Sequence, residues 1–236
     1  MEEKLSGIVL GGISYGENDK ILSIFTPEKG TISAGIKGVK KAGAKLKFAS
    51  EPFCFAEFVF SVKSDRRTVI GASLIDSFYP LRENIERFFC AGTITEFIKK
   101  FIKEEVSSPE TFILTIETLK NLAYGDEHHK SVTVKFLLKA LSMAGYGLSL
   151  NGCMRCGEKL RERVFFECYS GGFTCEKCKS DNGREINSVT YHALVKAEKG
   201  EVLDIQEADF ALRLLDFYLT HKADEKLNSL KELIKL

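Results

Sequence analysis

Thr31-Ile32-Ser33-Ala34-Gly35-Ile36-Lys37 decides how the first third of the chain is read. Ile32, Ala34 and Ile36 alternate with Thr31, Ser33, Gly35 and Lys37, the period of two that predicts a half-buried strand. Upstream, Pro27-Glu28-Lys29-Gly30 is a turn with proline at its favoured second position. Residues 19–26 form a strand before it, Tyr15-Gly16-Glu17-Asn18 another turn, and residues 5–13 a first strand. Gly7, Gly11 and Gly12 permit a bend or bulge in that first strand. Downstream, residues 52–62 are apolar on both alternating faces, as a central strand would be, and residues 68–78 are a fifth strand.

Strands in this number, short and with no helix between them, predict a small closed or partly closed barrel over residues 1–80. The oligonucleotide/oligosaccharide-binding (OB) fold is the leading candidate. Between its third and fourth strands runs Lys37-Gly38-Val39-Lys40-Lys41-Ala42-Gly43-Ala44-Lys45-Leu46-Lys47, with five lysines and no acid before Glu51. Its small residues suggest a mobile loop. A charge run is often only a solvated surface, but one that interrupts a barrel of this kind points to phosphates. Lys37, Lys40, Lys41, Lys45 and Lys47 are therefore candidate nucleic-acid contacts, with Arg66 and Arg67, expected in a second turn. If all five lysines met single-strand phosphates, log K would fall against log salt with a slope of roughly −3.5.

From residue 81 the period changes to 3.6. Ile85, Phe88, Phe89, Phe97, Ile98, Phe101 and Ile102 predict a long helix over about 84–104. Ser107-Ser108-Pro109-Glu110 starts the next helix, with Phe112, Ile113, Ile116 and Leu119 as its expected buried stripe. His128 and His129 fall in a polar loop and are expected in solvent. Residues 131–144 form a helix apolar nearly all round, hence central to a bundle. Helices return over 188–199 and 208–219, and a short amphipathic one closes the chain. The fold class is α+β multidomain: an OB barrel at 1–80, then a helical bundle at 81–236 with a zinc-ribbon-like module inserted at about 150–182.

That module rests on Cys153-Met154-Arg155-Cys156 and Cys175-Glu176-Lys177-Cys178. Two Cys-x-x-Cys knuckles at this spacing suit one tetrahedral Zn2+. Gly152, Gly157, Gly171 and Gly172 can supply the positive φ that tight knuckles need. Val164-Phe165-Phe166 and Gly172-Phe173 read as two strands between the pairs. A redox pair normally occurs once, and a disulfide scaffold belongs to secreted chains. Four sulfurs close the shell and leave no place for water, so the ion is expected to be structural. Cys54 and Cys90 sit in apolar stretches as small core residues, and Cys168 is spare.

Net charge is +1, with 44% hydrophobic and 28% charged residues in 236, an ordinary globular balance that names no partner. No stretch reads as a signal peptide or membrane span, so a cytoplasmic location is expected. The sequence carries no Gly-x-x-x-x-Gly-Lys-Ser/Thr loop and no Gly-x-Ser-x-Gly elbow. It also lacks the His-x-Glu partner of a zinc deaminase, so catalysis is not expected. Glu57, inside the apolar fourth strand, could face an edge or pair with a base.

Several pieces, in this order, resemble the RecO family of bacterial recombination mediators. They begin with Gly7-Ile8-Val9-Leu10, Tyr15-Gly16-Glu17-Asn18-Asp19 and Phe25-Thr26-Pro27-Glu28-Lys29-Gly30. Pro52-Phe53, Tyr79-Pro80-Leu81-Arg82 and Gly145-Tyr146 follow. Cys153-x-x-Cys156-Gly157 and Gly171-Gly172-Phe173 before Cys175-x-x-Cys178 complete the set. The resemblance covers nearly the whole chain. It implies a DNA-repair protein with no ATPase of its own, working in the bacterial cytoplasm at the nucleoid. It implies binding to single- and double-stranded DNA and annealing of complementary strands. Its implied partners are RecR, with which it loads RecA, and the acidic C-terminal tail of single-strand-binding protein. The competing class is a protein-assembly adaptor with a zinc-stabilised docking surface, which the near-neutral charge allows. A zinc enzyme would need an open coordination position.

Overall fold

In the computed structural model, which describes residues 1–64 and 66–236, the period-two run becomes the strand Gly30–Ile36. It buries Ile32, Ala34 and Ile36. It is β3 of a closed barrel with β1 (Glu2–Tyr15), β2 (Asp19–Thr26), β4 (Phe55–Lys63) and β5 (Arg66–Asp76), in the order β1-β2-β3-β5-β4. Neighbours are antiparallel except β3 and β5, which run parallel from Ala34↔Arg67 to Ile36↔Val69. Leu22, Ile24, Phe58, Phe60 and Val69 fill the barrel with the alternate residues of β3. The glycine-rich first strand does bulge. Its register against β2 shifts between Val9 and Gly11, and Gly11 sits at φ +143°.

Two expectations for the barrel are corrected. Arg66 and Arg67 are not in a turn: they open β5, paired with Lys63 and Val62, because the ladder with β4 runs almost to its connection. The lysine loop is pinned. Val39 and Ala49 belong to the barrel core, and Leu46 and Phe48 pack against it. Its apolar residues plug the barrel while its lysines stay outside. Glu57 is settled as well: it points outward and meets Lys4 of β1 at 2.7 Å.

The barrel and the helices to residue 123 form one compact unit, Met1–Ala123, and the remainder, Tyr124–Leu236, forms a second. In the first, α1 (Pro80–Glu83) is a single turn. It precedes α2 (Ile85–Phe101), capped by the Asn84 side chain on the Arg87 N–H, and α3 (Pro109–Tyr124). Phe53 meets Phe88 of α2, and Phe25 meets Phe112 of α3, both edge to face. The α3 stripe is rotated from expectation. Ile113 is 56% exposed, whereas Thr115 and Thr118 are buried because their hydroxyls donate to the carbonyls four residues back.

In the second unit, α4 (His129–Met143) is buried nearly all round, as a central helix should be. Its Lys130 is buried and meets Asp209 at 2.6 Å. His128 and His129 are half-buried rather than in solvent. α5 (Ser188–Glu198) and α6 (Ile205–Lys222) pack on α4, and α7 (Asn228–Leu233) packs on α6. A capping box between Asp204 and Glu207 starts α6. The zinc-ribbon-like hairpin comprises β6 (Val164–Glu167) and β7 (Gly172–Cys175), joined by a third strand the spacing did not show, β8 (Arg184–Ile186).

Candidate nucleic-acid interface and metal centre

Lys37, Lys40, Lys41, Lys45 and Lys47 are all exposed, and successive turns carry them. Two bonds tie the start of this loop to the β1–β2 turn. Asp19 Oδ1 accepts the Gly38 N–H at 2.7 Å, and the Lys40 N–H donates to the Asn18 carbonyl at 3.1 Å. One Asp19 carboxylate oxygen thus bonds to the protein itself. Lys37 also lines a groove of about 540 Å³ on the outer face of β2, β3 and β5, with Tyr15, Lys20, Ser33, Gly35 and Arg66. Lys41 lines a neighbouring hollow with Glu17, Asn18, Lys37 and Gly38. The structure therefore brings Lys37 and Arg66 to one groove and strings the other lysines away from it along the loop.

Arg67 lines the same groove, but carboxylates hold its side chain. Its side chain is 12% exposed, its Nε donates to Glu3 at 2.9 Å, and its Nη1 meets Glu105 at 2.5 Å. Lys29 joins Glu3 at 3.0 Å. Burial raises the pKa of Glu3, but the hydrogen bonds and charges of Arg67 and Lys29 outweigh it and hold the carboxyl below its ordinary range. Arg67 fastens β5 to β1 and to the segment between α2 and α3. No sequence signal separated it from Arg66.

The four expected cysteine ligands converge. The sulfurs of Cys153, Cys156, Cys175 and Cys178 all lie within 4.8 Å of one another, and Cys156 and Cys175 are 3.8 Å apart. Four sulfurs about 2.3 Å from one zinc ion would stand roughly 3.8 Å from each other. Cys168 is outside the cluster, and Cys54 and Cys90 are buried.

The chemistry of the donor set agrees. Burial raises the Cys153 pKa, but the N–H groups of Cys156, Cys175 and Arg155 outweigh it and hold the thiol at about 6. Hydrogen bonds with Cys156 and Cys175 push Cys178 up to about 12. One thiolate forms readily and its neighbours resist a second charge. A cation at the centre would remove that resistance.

The knuckles are fixed from outside the ligand set. Gly152 sits at φ +91°, where a Cβ would lie 2.9 Å from the Glu158 carbonyl. Gly157 and Gly171 also have positive φ, whereas Gly172 starts β7. Tyr191 of α5 donates to the Leu150 carbonyl at 2.9 Å and accepts the Gly152 N–H at 3.0 Å. Phe166 and Phe173, fully buried, pack edge-on to Tyr218 and Tyr191. Each such burial contributes roughly 1.5–3 kcal/mol. Glu167 holds the second knuckle. Its carboxylate accepts from the Ser180 N–H at 2.9 Å, the Ser180 hydroxyl and the Thr174 hydroxyl. Burial raises its pKa, but those bonds outweigh it and hold the carboxyl below its ordinary range.

Residues 1–78 match the family model for the recombination protein O N terminal region, and residues 82–231 match that for its C terminal region. Curated relatives carry one name, DNA repair protein RecO. That of Acetivibrio thermocellus is 31% identical over 181 residues, covering 76% of this chain and 72% of the relative. That of Caldicellulosiruptor bescii is 32% identical over 183 residues, covering 78% and 75%. That of Clostridium novyi is 26% identical over 238 residues, covering 97% and 92%.

Proposed function

This chain belongs to the RecO family of DNA repair proteins, and on that premise we propose that it is a non-enzymatic recombination mediator. In this reading it binds single- and double-stranded DNA through the barrel at 1–80. It anneals complementary strands, and with RecR it helps to load RecA onto strands coated by single-strand-binding protein. The helical part at 81–236 meets the acidic tail of the coating protein. The module at about 150–182 holds one structural Zn2+ on Cys153, Cys156, Cys175 and Cys178. The protein works in the bacterial cytoplasm, at the nucleoid.

The observation that carries the reading is the loop at 37–47. It holds five exposed lysines on a barrel whose core its own Val39 enters. Annealing needs two polyanions close together with their repulsion reduced, and a fixed row of ammonium groups lowers it without reading sequence. Lys37, Lys40, Lys41, Lys45, Lys47 and Arg66 are the contacts we retain from the sequence. Arg67 keeps only an indirect role, because two carboxylates already engage it. The ordered loop favours DNA over the adaptor reading: an adaptor has no need of lysines held out on an anchored stalk.

The test is a salt titration of single-stranded DNA binding, with annealing measured in parallel. Converting all five lysines to glutamate should abolish annealing and flatten a slope of roughly −3.5 towards zero. Unchanged affinity and slope would refute the loop as the DNA site.

A further inference from the structure

The 540 Å³ groove on the face of β2, β3 and β5 contains more than cations. Its size lies within the roughly 300–1,000 Å³ of small-ligand sites. Tyr15, the last residue of β1, stands at one wall and is 64% exposed. Nothing in the fold accounts for leaving that ring out: Gly16 follows it at φ +62° with open space around it. Ile13, two residues back and on the same strand face, is also exposed, at 68%.

β3 contributes Ser33, Ala34, Gly35 and Ile36 to the lining, and the space over Gly35 is open: a Cβ built there would meet only the Arg67 carbonyl, at 3.9 Å. Lys37 and Arg66, both exposed, stand at other points on the rim. The groove contains one acid, Asp19, whose Oδ1 is bonded to the Gly38 N–H. A planar ring, open space over Gly35 and flanking cations suit a base with its phosphates. Stacking requires the face of the base to be free, which a duplex denies.

We propose that Tyr15 is the residue that makes this groove select unpaired strands, its ring stacking on one base while Lys37 and Arg66 hold the neighbouring phosphates. This rests on the reading of the barrel as a DNA-binding surface and adds the basis of its preference for single strands. The lysine loop attracts either form of DNA, whereas Tyr15 acts only on bases that are out of a helix.

The experiment compares Tyr15→Ala with the wild-type full chain on an oligothymidylate and on a duplex of equal length, at one salt concentration. Single-strand affinity should fall roughly 5- to 100-fold, the range that base–aromatic stacking supports, while duplex affinity stays within about twofold. Tyr15→Phe should keep the wild-type values. The chain contains no tryptophan, so Tyr15→Trp provides a single indole whose emission oligothymidylate should quench and duplex should leave unchanged. Unaltered single-strand affinity in Tyr15→Ala would overturn the proposal, as would an equal loss on both probes. A variant with Lys40, Lys41, Lys45 and Lys47 converted to glutamate, which leaves Lys37 in the groove, separates the two ideas. Were it to bind normally while Tyr15→Ala lost single strands, the lysine site would fail and the stacking site would stand.

Discussion

Arg66 and Arg67 are adjacent in sequence and opposed in environment, and substituting each by alanine should separate stability from DNA binding. Arg67 is 12% exposed and reaches Glu3 at 2.9 Å and Glu105 at 2.5 Å. Removing one partner of a fully buried pair costs roughly 3–5 kcal/mol, whereas exposed pairs contribute about 0–1 kcal/mol. Here Glu105 is 50% exposed and adds little. Glu3 is 15% exposed and would keep Lys29 at 3.0 Å, so its loss is partial. Arg67→Ala should therefore cost about 2 kcal/mol, between those limits. For a unit of this size that is roughly 5–10 °C in thermal midpoint. Arg66→Ala should melt with the wild type and weaken DNA binding.

The pH dependence adds an independent signature. The folded protein holds the Glu3 carboxyl below its ordinary value of 4.5. Such a group contributes stability that is fully present above the unfolded value and is lost as pH falls through the folded one. The gap between wild type and Arg67→Ala should be complete at pH 7, narrow below about 4.5, and close under more acidic conditions. Circular dichroism melts from pH 3 to 7 measure it. An Arg67→Ala protein as stable as the wild type, or a gap independent of pH, would refute the assignment of Arg67 to the fold.

Two other substitutions probe the second unit. Glu167→Gln removes the charge that the Ser180 N–H and two hydroxyls satisfy. Partners that orient metal ligands influence affinity by roughly 10- to 100-fold, so a chelator should strip zinc that much more easily with helical content unchanged; equal retention would make Glu167 irrelevant to the knuckle. Lys130→Ala strands Asp209 beside a buried position and should cost about 3 kcal/mol in urea unfolding, while Lys130→Met, which fills the same space, should cost less; equal losses would show that the lost charge rather than the lost volume matters there.

What the sequence made legible depended on period and spacing. Alternation at Ile32, Ala34 and Ile36 placed β3 because one face of that strand meets the core and the other does not. Cysteine spacing placed the four-cysteine cluster, whose sulfurs lie within 4.8 Å of one another. Features set by tertiary partners stayed hidden. Arg67 looks like Arg66 until Glu105, 38 residues on, is folded against it. β8 spans only Arg184–Ile186, too short to show a period, and exists because β6 has a free edge. The α3 stripe departs from expectation at Ile113 because Thr115 and Thr118 face inward, which a hydroxyl that bonds back to its own helix allows.

Net charge of +1 carries little weight against DNA binding. At physiological salt, field lines decay over about 8 Å, so a strand on the barrel responds to the groups within one or two phosphates of it. Of the acids there, Glu17 lines the hollow with Lys37 and Lys41, and four others are engaged. Asp19 has an oxygen bonded to the Gly38 N–H, Glu57 meets Lys4, and Glu3 and Glu105 hold Arg67 and Lys29. The lysines at 37–47 have no such carboxylate partner among the ion pairs of the described residues. Glu3, Glu57, Glu105 and Asp19 hold the barrel together, which leaves Glu17 as the acid lining the hollow with two of the loop cations. A salt slope should count those loop cations, not the charge of the whole chain.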